Sequence, residues 1–174
     1  MPAEIDYIAH PWLEEVADSK LVTPQVRKRL EPLIRAWAKS AAIGFASVEE
    51  IDKINIFHAA HLAMIRAVAD CKSAHARTVL VDGKFAPKIP GYKITPIIKG
   101  DLKCLSIACA SIIAKVWRDD LMVEMDQQYP GYGFGIHKGY STPAHKAALG
   151  KQGICVIHRR SFRPVFECVS GLAK

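Results

Sequence analysis

The sequence predicts one α/β domain that spans residues 1–174, and three observations support this prediction. Half of the 174 residues are apolar, so the chain can bury a sizeable core within one domain. Short apolar runs typical of strands alternate with longer segments that have helical periodicity. Neither a repeat nor a linker interrupts this alternation, which favours one layered α/β unit over separate domains.

The first half of the chain carries two helix-start signals. Thr23 is a typical N-cap, and Pro24 suits the first position of the helix that follows. The apolar residues predicted to face inward from this helix are Val26, Leu30, Leu33 and Trp37. Residues 41–46, AAIGFA, predict a short strand. The SVEE sequence at 47–50 is a capping box, which opens a second helix that includes Phe57 on its inward face.

The second half contains two predicted strands and the most regular helix. The apolar runs Val79–Val81 and Ile94–Ile98 predict buried strands, separated by a loop rich in proline and glycine. A long apolar segment at 104–129 predicts a helix that is buried on most of its sides. A glycine-rich loop follows, and Thr142 with Pro143 predicts the start of another short helix.

The charge balance favours a polyanionic partner. The chain has 24 Lys and Arg against 17 Asp and Glu, a net charge of +7, with much of the excess at 137–140 and 157–165. A basic surface of this kind is typical of nucleic-acid-binding proteins. A solubility face is the alternative, and charge alone does not separate the two.

The five cysteines are scattered and form no C-x-x-C pair. An odd number without metal-ligand spacing argues against a disulfide framework or a structural zinc site, and indicates reduced thiols in a cytoplasmic protein. Cys104 and Cys109 lie in the long apolar segment, where a small buried residue is the simplest interpretation. No apolar stretch approaches the roughly 18 residues of a membrane span, so we expect no membrane partner.

One aspartate follows each of the two predicted strands. Asp82 comes directly after Val79–Val81, and Asp101 comes shortly after Ile94–Ile98. A rigid strand end fixes a carboxylate well enough for it to bind a metal or act as a general base. Each aspartate also has a structural interpretation, because Asp82-Gly83 is a strong turn dipeptide and Asp101 could cap the next helix.

Together, the two aspartates predict a divalent-metal site. Adjacent strands would bring the carboxylates close, where they repel one another unless a cation lies between them. Mg²⁺ and Mn²⁺ prefer oxygen ligands of this kind. A carboxylate cluster in a basic surface is the arrangement that two-metal phosphodiester hydrolysis requires, with the ions about 3.5–4 Å apart.

Six longer motifs resemble bacterial ribonuclease HII, the type 2 ribonuclease H, in their wording and order. The similarity covers about Asp18 to Val165 and implies a ribonuclease-H-like mixed sheet flanked by helices. The motifs are DSKLVTP (18–24), INIFHAAHLAMIRAV (54–68), VLVDGK (79–84), KGDLKCLSIACASIIAKVWRD (99–119), YPGYGFGIHKGYSTPAH (129–145) and IHRRSFRPV (157–165).

The resemblance implies a metal-dependent endonuclease. Ribonuclease HII cleaves the RNA strand of RNA–DNA hybrids and nicks DNA at embedded ribonucleotides, leaving a 3′-hydroxyl and a 5′-phosphate. Asp82 and Asp101 match the third and fourth of the four acidic residues that hold the family's Mg²⁺ or Mn²⁺. Tyr140 matches the tyrosine that lies against the ribonucleotide, and Lys20 matches a lysine near the substrate backbone.

Other polar residues of these motifs receive weaker assignments. Lys138, Arg159 and Arg160 would add basic surface for the nucleic acid. Asp119 fits a salt-bridge partner on the long helix better than a metal ligand. Three histidines lack metal-ligand spacing and are predicted to serve as hydrogen-bonding residues: His137, His145 and His158. Without the resemblance, Tyr140 would be interpreted as a turn aromatic packed on glycines.

The sequence departs from the family pattern at its start. The family opens with a strand bearing Asp-Glu-Ala-Gly-Arg-Gly and a second apolar strand, and residues 1–17 contain neither. Two of the four carboxylates and the Gly-Arg-Gly backbone that reads the ribose 2′-hydroxyl are therefore missing. We expect weak or no activity from this chain alone, and self-association through open sheet edges. An upstream start is favoured over a genuine non-catalytic, nucleic-acid-binding remnant.

Overall fold

Helices predominate over strands in the fold. The computed structural model describes residues 5–71 and 76–170. In these ranges the sheet has two strands, and short 3₁₀ helices occur at Pro11–Glu15 and Gly100–Leu102. The other elements are α1 (Pro24–Trp37), α2 (Val48–Asp70), β1 (Thr78–Asp82), β2 (Lys93–Ile97), α3 (Leu105–Gln128), α4 (Phe134–His137), α5 (Pro143–Gln152) and α6 (Arg163–Val169).

The chain forms two compact units. The first comprises Met1–Phe45 and His61–Val116, and the second comprises Ala46–Ala60 and Trp117–Lys174. The α/β class predicted from the sequence is confirmed. The extension of one domain over all 174 residues stays a prediction.

The two strands of the first unit are parallel. Thr78 pairs with Lys93 and Asp82 pairs with Ile97, so the carboxyl ends of β1 and β2 lie at the same edge of the sheet. The prediction that both strands are buried was wrong, because only Val81 is buried in β1 and no residue of β2 is. With two strands in the described sheet, both are edge strands, which leaves part of each strand open to solvent.

Helix α1 begins as predicted, and three of its four predicted inward residues, Val26, Leu30 and Trp37, lie in or pack against the core. The Thr23 side chain accepts a hydrogen bond from the Val26 amide, and Pro24 occupies the first turn. The buried residues are Arg27, Leu30 and Ile34, whereas Leu33 is 36% exposed. Apolar periodicity missed Arg27, whose guanidinium is buried because it donates to the carbonyl oxygens of Ser19 and Val22 at 2.6 and 2.5 Å.

The core of the first unit joins α1 to the first half of α3. Its fully enclosed members include Leu30, Ile34 and Ile112, and Val22 and Trp37 pack around them. Cys109 belongs to this core, and burial raises the pKa of its thiol to about 11. The interpretation of Cys109 as a small buried residue is confirmed, and all five cysteines are free thiols.

Residues 41–46 do not form the predicted strand. The segment is irregular, and Gly44 lies directly on the backbone of α2. A Cβ atom at Gly44 would lie 2.0 Å from the Ala63 carbonyl oxygen and 2.5 Å from the Ala67 nitrogen. The apolar run therefore packs on a helix instead of pairing with a strand, a choice that local sequence cannot reveal.

Helix α2 starts at the predicted capping box and is interrupted at Asn55. The Ser47 amide donates to Glu50, and the Glu50 amide donates to the Ser47 hydroxyl. Asn55 has φ 65° and ψ 166°, and its side-chain oxygen accepts hydrogen bonds from the Phe57 and His58 amides. Because Asn55 restarts the helix, Phe57 is 46% exposed and not inward as predicted.

A second core holds the other unit together. Tyr132 and Phe134 stack with their ring centroids 5.2 Å apart, and Met122, Leu149 and Val165 complete the buried cluster. Thr142 caps α5 as predicted, because its hydroxyl accepts a hydrogen bond from the His145 amide. Across the described part of the chain, no helix combines the length and apolarity needed to cross a membrane.

The contact at Gly44 generates a stability prediction. Gly44→Ala should lower the free energy of unfolding by about 3 kcal/mol or more, because its methyl group would overlap backbone atoms that cannot rotate away. The matched control is Gly150→Ala, in α5, where an added Cβ meets nothing within 4 Å and should stabilise by up to about 1 kcal/mol. Urea unfolding of both variants checks this. A Gly44→Ala variant as stable as the wild type would contradict the packing of 41–46 on α2.

Candidate active site

The structure links Asp82 to the turn that carries Asp101. Asp82 is the last residue of β1, and Asp101 is the middle residue of the 3₁₀ helix Gly100–Leu102. The Gly100 amide donates a hydrogen bond of 2.7 Å to Asp82 Oδ1. Asp82 is exposed and Asp101 is half-buried, so both residues remain accessible to solvent.

The local sequence explains why the chain can approach Asp82 so closely. Lys99 adopts a left-handed conformation with φ 56° and ψ 47°, which turns the chain sharply after β2. The next residue is a buried glycine, where an added Cβ would lie 2.5 Å from Ile107 Cδ1 and 3.4 Å from Asp82 Oδ1. Gly100 therefore allows the amide to reach the carboxylate.

The structural alternatives for the two aspartates have different outcomes. Gly83 has φ 109° and lies in a bend, while its amide donates to the Ile97 carbonyl oxygen on the neighbouring strand, so the pairing of the strands continues past Asp82. The bend leaves Asp82 at the strand end and is compatible with a functional role. Asp101 does not cap α3, because Cys104 is the residue that precedes the helix.

The two carboxylates offer oxygen donors at one edge of the sheet. Their chemistry suits a hard divalent cation, and the exposure of Asp82 allows water to complete its coordination. Within residues 5–71 and 76–170, no group of three or more His, Cys, Asp or Glu side chains is arranged as a metal site. Asp82 and Asp101 are therefore the two candidate metal ligands at this edge of the sheet.

Lys20 lies in the first unit, as Asp82 and Asp101 do, on a turn that neighbouring residues hold in place. The Asp18 side chain accepts a hydrogen bond from the Lys20 amide at 2.9 Å. Ser19 is buried, and the hydroxyl of Ser111 on α3 donates to its hydroxyl at 2.7 Å. The turn is thereby anchored to the core while the residue Lys20 is exposed.

Lys138 and Tyr140 lie in the second unit, on the turn after α4. Lys138 and Gly139 both have positive φ, 54° and 80°, and the Tyr140 amide donates to the His137 carbonyl oxygen at 2.9 Å. Lys138 is half-buried, whereas Tyr140 is 66% exposed. The structure therefore brings Lys138 together with Tyr140, and Asp82 together with the Asp101 turn.

Arg118 is a neighbour of Tyr140 that sequence reasoning missed. A Cβ atom at Gly139 would lie 3.6 Å from Arg118 Nη2. Burial lowers the pKa of the Arg118 guanidinium, and the nearby charge of Arg159 lowers it further, while Tyr140 and Asp119 act in the opposite direction. Arg118 lies in the WRDD motif, and this position was the signal in the sequence that could have identified it. The prediction made for this motif concerned Asp119.

The prediction that three histidines act as hydrogen-bonding residues is confirmed, and the structure brings them together. His137, His145 and His158 are all buried. His137 and His145 stack with centroids 4.3 Å apart and planes inclined by 14°. His145 Nε2 lies 3.1 Å from His158 Nε2. No sequence signal could have found this cluster, because its members are widely and irregularly spaced.

Comparison with known proteins identifies the family. The family model described as Ribonuclease HII matches residues 10–165. The chain belongs to the ribonuclease HII family. A ribonuclease HII from Nitrosococcus oceani is 51% identical over 150 residues, which cover 86% of this chain and 74% of the relative. Those from Paracoccus denitrificans and Laribacter hongkongensis are 48% and 45% identical, covering 88% and 91% of this chain and 72% and 80% of theirs.

A solved structure supports the fold. The ribonuclease H2 from Pyrococcus horikoshii OT3 superimposes with a TM-score of 0.75 at 22% sequence identity, covering 96% of this chain and 87% of that one. This likeness supports the α/β fold. Membership of the ribonuclease HII family places the chain among endoribonucleases of the ribonuclease H type.

The buried histidines generate a prediction on pH. Burial lowers the pKa of His145 and of His158 below the ordinary value of 6.5. The unfolded chain therefore binds protons at these residues at a higher pH than the folded chain does. The stabilising contribution is complete above about pH 6.5 and is lost as the pH falls, by at most about 1.4 kcal/mol per pH unit for each proton.

Urea unfolding at intervals between pH 7.5 and 5 measures this effect. The double variant His145→Asn, His158→Gln should show a shallower decline of the unfolding free energy than the wild type over that range. Equal slopes for the two proteins would contradict the prediction.

Proposed function

We propose that this chain supplies part of the active site of a metal-dependent endonuclease. Its substrate would be the RNA strand of an RNA–DNA hybrid, or a ribonucleotide embedded in DNA, and the products would carry 3′-hydroxyl and 5′-phosphate ends. Family membership supports this proposal. The observation that carries it in the structure is the 2.7 Å hydrogen bond that ties Asp82 to the turn of Asp101.

Asp82 and Asp101 would hold the metal, which we propose to be Mg²⁺ or Mn²⁺. Their carboxylate oxygens are ligands that both ions accept. When bound, such ions activate water and stabilise the leaving oxygen of a phosphodiester. The Gly100 amide donates a hydrogen bond to Asp82 Oδ1 and thereby orients the carboxylate. Oδ2 remains as the second carboxylate oxygen that could bind the metal.

The remaining candidate residues would bind the nucleic acid. Tyr140 is exposed on a turn with two positive-φ residues, where its ring would lie against the ribonucleotide. Lys20 and Lys138 would contact the phosphate backbone, which Lys binds as a point charge. Arg118 adds a positive charge beside Tyr140, and Arg159, whose charge lowers the pKa of Arg118, would add a second guanidinium to the basic surface.

We further propose that the chain acts in the cytoplasm, without a membrane partner. Its five free thiols suit a reducing compartment. Self-association through the two edge strands of the described sheet is part of the same proposal, because unpaired strand edges can bind another chain.

Cleavage assays test the metal site. We expect the 174-residue chain to cleave a DNA duplex with one ribonucleotide only weakly, because Asp82 and Asp101 alone supply half of the family's carboxylates. Fusing a segment with the family's opening strand, which bears Asp-Glu-Ala-Gly-Arg-Gly, should restore Mg²⁺-dependent cleavage. In this fusion, Asp82→Asn and Asp101→Asn should each reduce the rate by about 100-fold or more, since the loss of a residue that only supports a ligand costs about 10–100-fold.

The control is Asp70→Asn, at the exposed end of α2, which should leave the rate of the fusion unchanged. Full activity of Asp82→Asn or Asp101→Asn in the fusion would refute the assignment of these residues as metal ligands. Rapid cleavage by the unfused chain would refute the proposal that it is weakly active alone.

The second candidate function is nucleic-acid binding without cleavage. One specific observation favours it: in the described residues, no cluster of three or more potential metal ligands surrounds Asp82 and Asp101. The basic residues would then bind the backbone of a nucleic acid and carry out no chemistry. This alternative keeps the roles of Lys20, Lys138 and Tyr140 but removes those of the two aspartates.

Salt dependence of binding tests the basic residues under either function. The logarithm of the association constant for a ribonucleotide-containing duplex should fall linearly with the logarithm of salt concentration. Lys20→Ala and Lys138→Ala should each reduce the slope by about 1, the loss of one phosphate contact. Lys151→Ala, at the exposed end of α5, is the control. Unchanged slopes for Lys20→Ala and Lys138→Ala would remove both from the interface.

A further inference from the structure

A continuous line of hydrogen bonds connects the backbone amide of Cys155 to the backbone of Tyr140. The Cys155 amide nitrogen lies 3.0 Å from His158 Nδ1. His158 Nε2 lies 3.1 Å from His145 Nε2, and His145 Nδ1 lies 3.0 Å from the Tyr140 carbonyl oxygen. Two buried imidazoles thus hold the backbone of a residue that is 66% exposed.

The two ends of this line determine both tautomers. A backbone amide only donates and a carbonyl oxygen only accepts. Since His158 Nδ1 accepts from Cys155, the proton of neutral His158 is on Nε2, from where it donates to His145 Nε2. His145 then carries its proton on Nδ1 and donates to the Tyr140 carbonyl oxygen. Every polar atom of the line is satisfied when both histidines are neutral.

An additional proton on either imidazole would break the line. Protonating His158 at Nδ1 places a donor against the Cys155 amide, and protonating His145 at Nε2 places a donor against His158 Nε2–H. The Cys155 thiol, 3.0 Å from His158 Nδ1, does not change this conflict because it is also a donor when protonated. The line therefore exists only with both rings neutral.

The other titratable groups around the pair have defined places. His137 stacks on His145, and the Tyr132 ring lies 5.0 Å from that of His158. Glu49, Asp52 and Arg160 line a cleft together with Cys155 and His158. Asp52 accepts hydrogen bonds from the Arg160 and Ser161 amides, which fixes its carboxylate within this cleft.

His137 fixes the other side of the Tyr140 turn. Its Nδ1 accepts from the Gly139 amide at 3.2 Å, so its Nε2 carries the proton and donates to the Tyr132 carbonyl oxygen at 2.7 Å. The turn also closes on itself, because the Thr142 amide donates to the Tyr140 carbonyl oxygen at 2.8 Å. The carbonyl oxygen of Tyr140 is thus shared between His145 and Thr142.

We propose that His145 is a positioning residue for Tyr140, held in its donating tautomer by His158, so that the neutral pair sets where the Tyr140 ring meets a ribonucleotide. This inference rests on the proposed function of Tyr140. Because the line requires neutral rings, the contribution of Tyr140 to binding is lost as the pH falls through the pKa values of the two histidines, which burial lowers below 6.5.

The test measures binding of a DNA duplex containing one ribonucleotide, with Ca²⁺ in place of Mg²⁺. Tyr140→Ala should weaken binding by roughly 5- to 150-fold, the range typical of a base stacked on an aromatic ring. His145→Ala should weaken binding by most of the same factor. The double variant should bind about as weakly as Tyr140→Ala alone, because both changes remove one interaction.

His145→Asn provides the rescue that a merely structural role would not predict. The asparagine side-chain nitrogen occupies nearly the place of imidazole Nδ1, so it can donate to the Tyr140 carbonyl oxygen, and it does not titrate. We expect His145→Asn to bind nearly as tightly as the wild type at pH 7.5. It should also keep this affinity as the pH is lowered until the two histidines are protonated, a range over which the wild type weakens towards the level of Tyr140→Ala.

The outcomes separate the two proposals. If Tyr140→Ala binds as tightly as the wild type, the proposed role of Tyr140 fails and the positioning role fails with it. If Tyr140→Ala weakens binding while His145→Ala does not, or if their effects multiply, the positioning role alone is wrong. Should His145→Ala not fold, ¹⁵N NMR of wild-type histidines decides: protonated Nδ1 on His145 and Nε2 on His158 support the inference, and the opposite tautomers overturn it.

Discussion

The hydrogen bond from the Gly100 amide to Asp82 Oδ1 joins two parts of the chain on which the proposed chemistry depends. Asp82 ends one strand of a parallel pair, and the chain leaving the other strand must turn at once for Asp101 to remain nearby. The left-handed conformation of Lys99 makes this turn, and the missing side chain of Gly100 allows the close approach. Three consecutive residues, Lys99 to Asp101, therefore have one structural task.

A similar principle governs the turn of Tyr140. An exposed residue gains a fixed backbone position when buried groups form hydrogen bonds to it. At Asp82 the partner is a backbone amide, whereas at Tyr140 it is an imidazole whose tautomer is set by a second imidazole. The second arrangement depends on protonation, because it requires both imidazoles to be neutral.

The charges of the candidate residues are complementary in their roles. Asp82 and Asp101 provide negative charge for a cation, while Lys20, Lys138 and Arg118 provide positive charge for a phosphate backbone. The net charge of +7 attracts a polyanion over the distance of a Debye length, about 8 Å at physiological ionic strength. Specific recognition has to come from fixed groups at closer range, which is the role that the held backbone of Tyr140 would serve.

The sequence by itself determined the features that depend on neighbours in the chain. The N-caps at Thr23 and Thr142 and the capping box at Ser47 were all predicted correctly, because each uses atoms within a few residues. The α/β class and the family also follow from the sequence. The sequence also predicted that adjacent strands bring Asp82 and Asp101 near one another, whereas the parallel pairing of these strands is known from the structure.

Only the tertiary structure decided the features that depend on distant partners. Residues 41–46 look like a strand, but Gly44 contacts the backbone of α2 instead. Arg27 is charged and yet buried, because two carbonyl oxygens from an earlier turn receive its guanidinium. His145 and His158 come together through the packing of the second core. In each case the deciding partner lies on another segment, and its distance in space is not encoded in local periodicity.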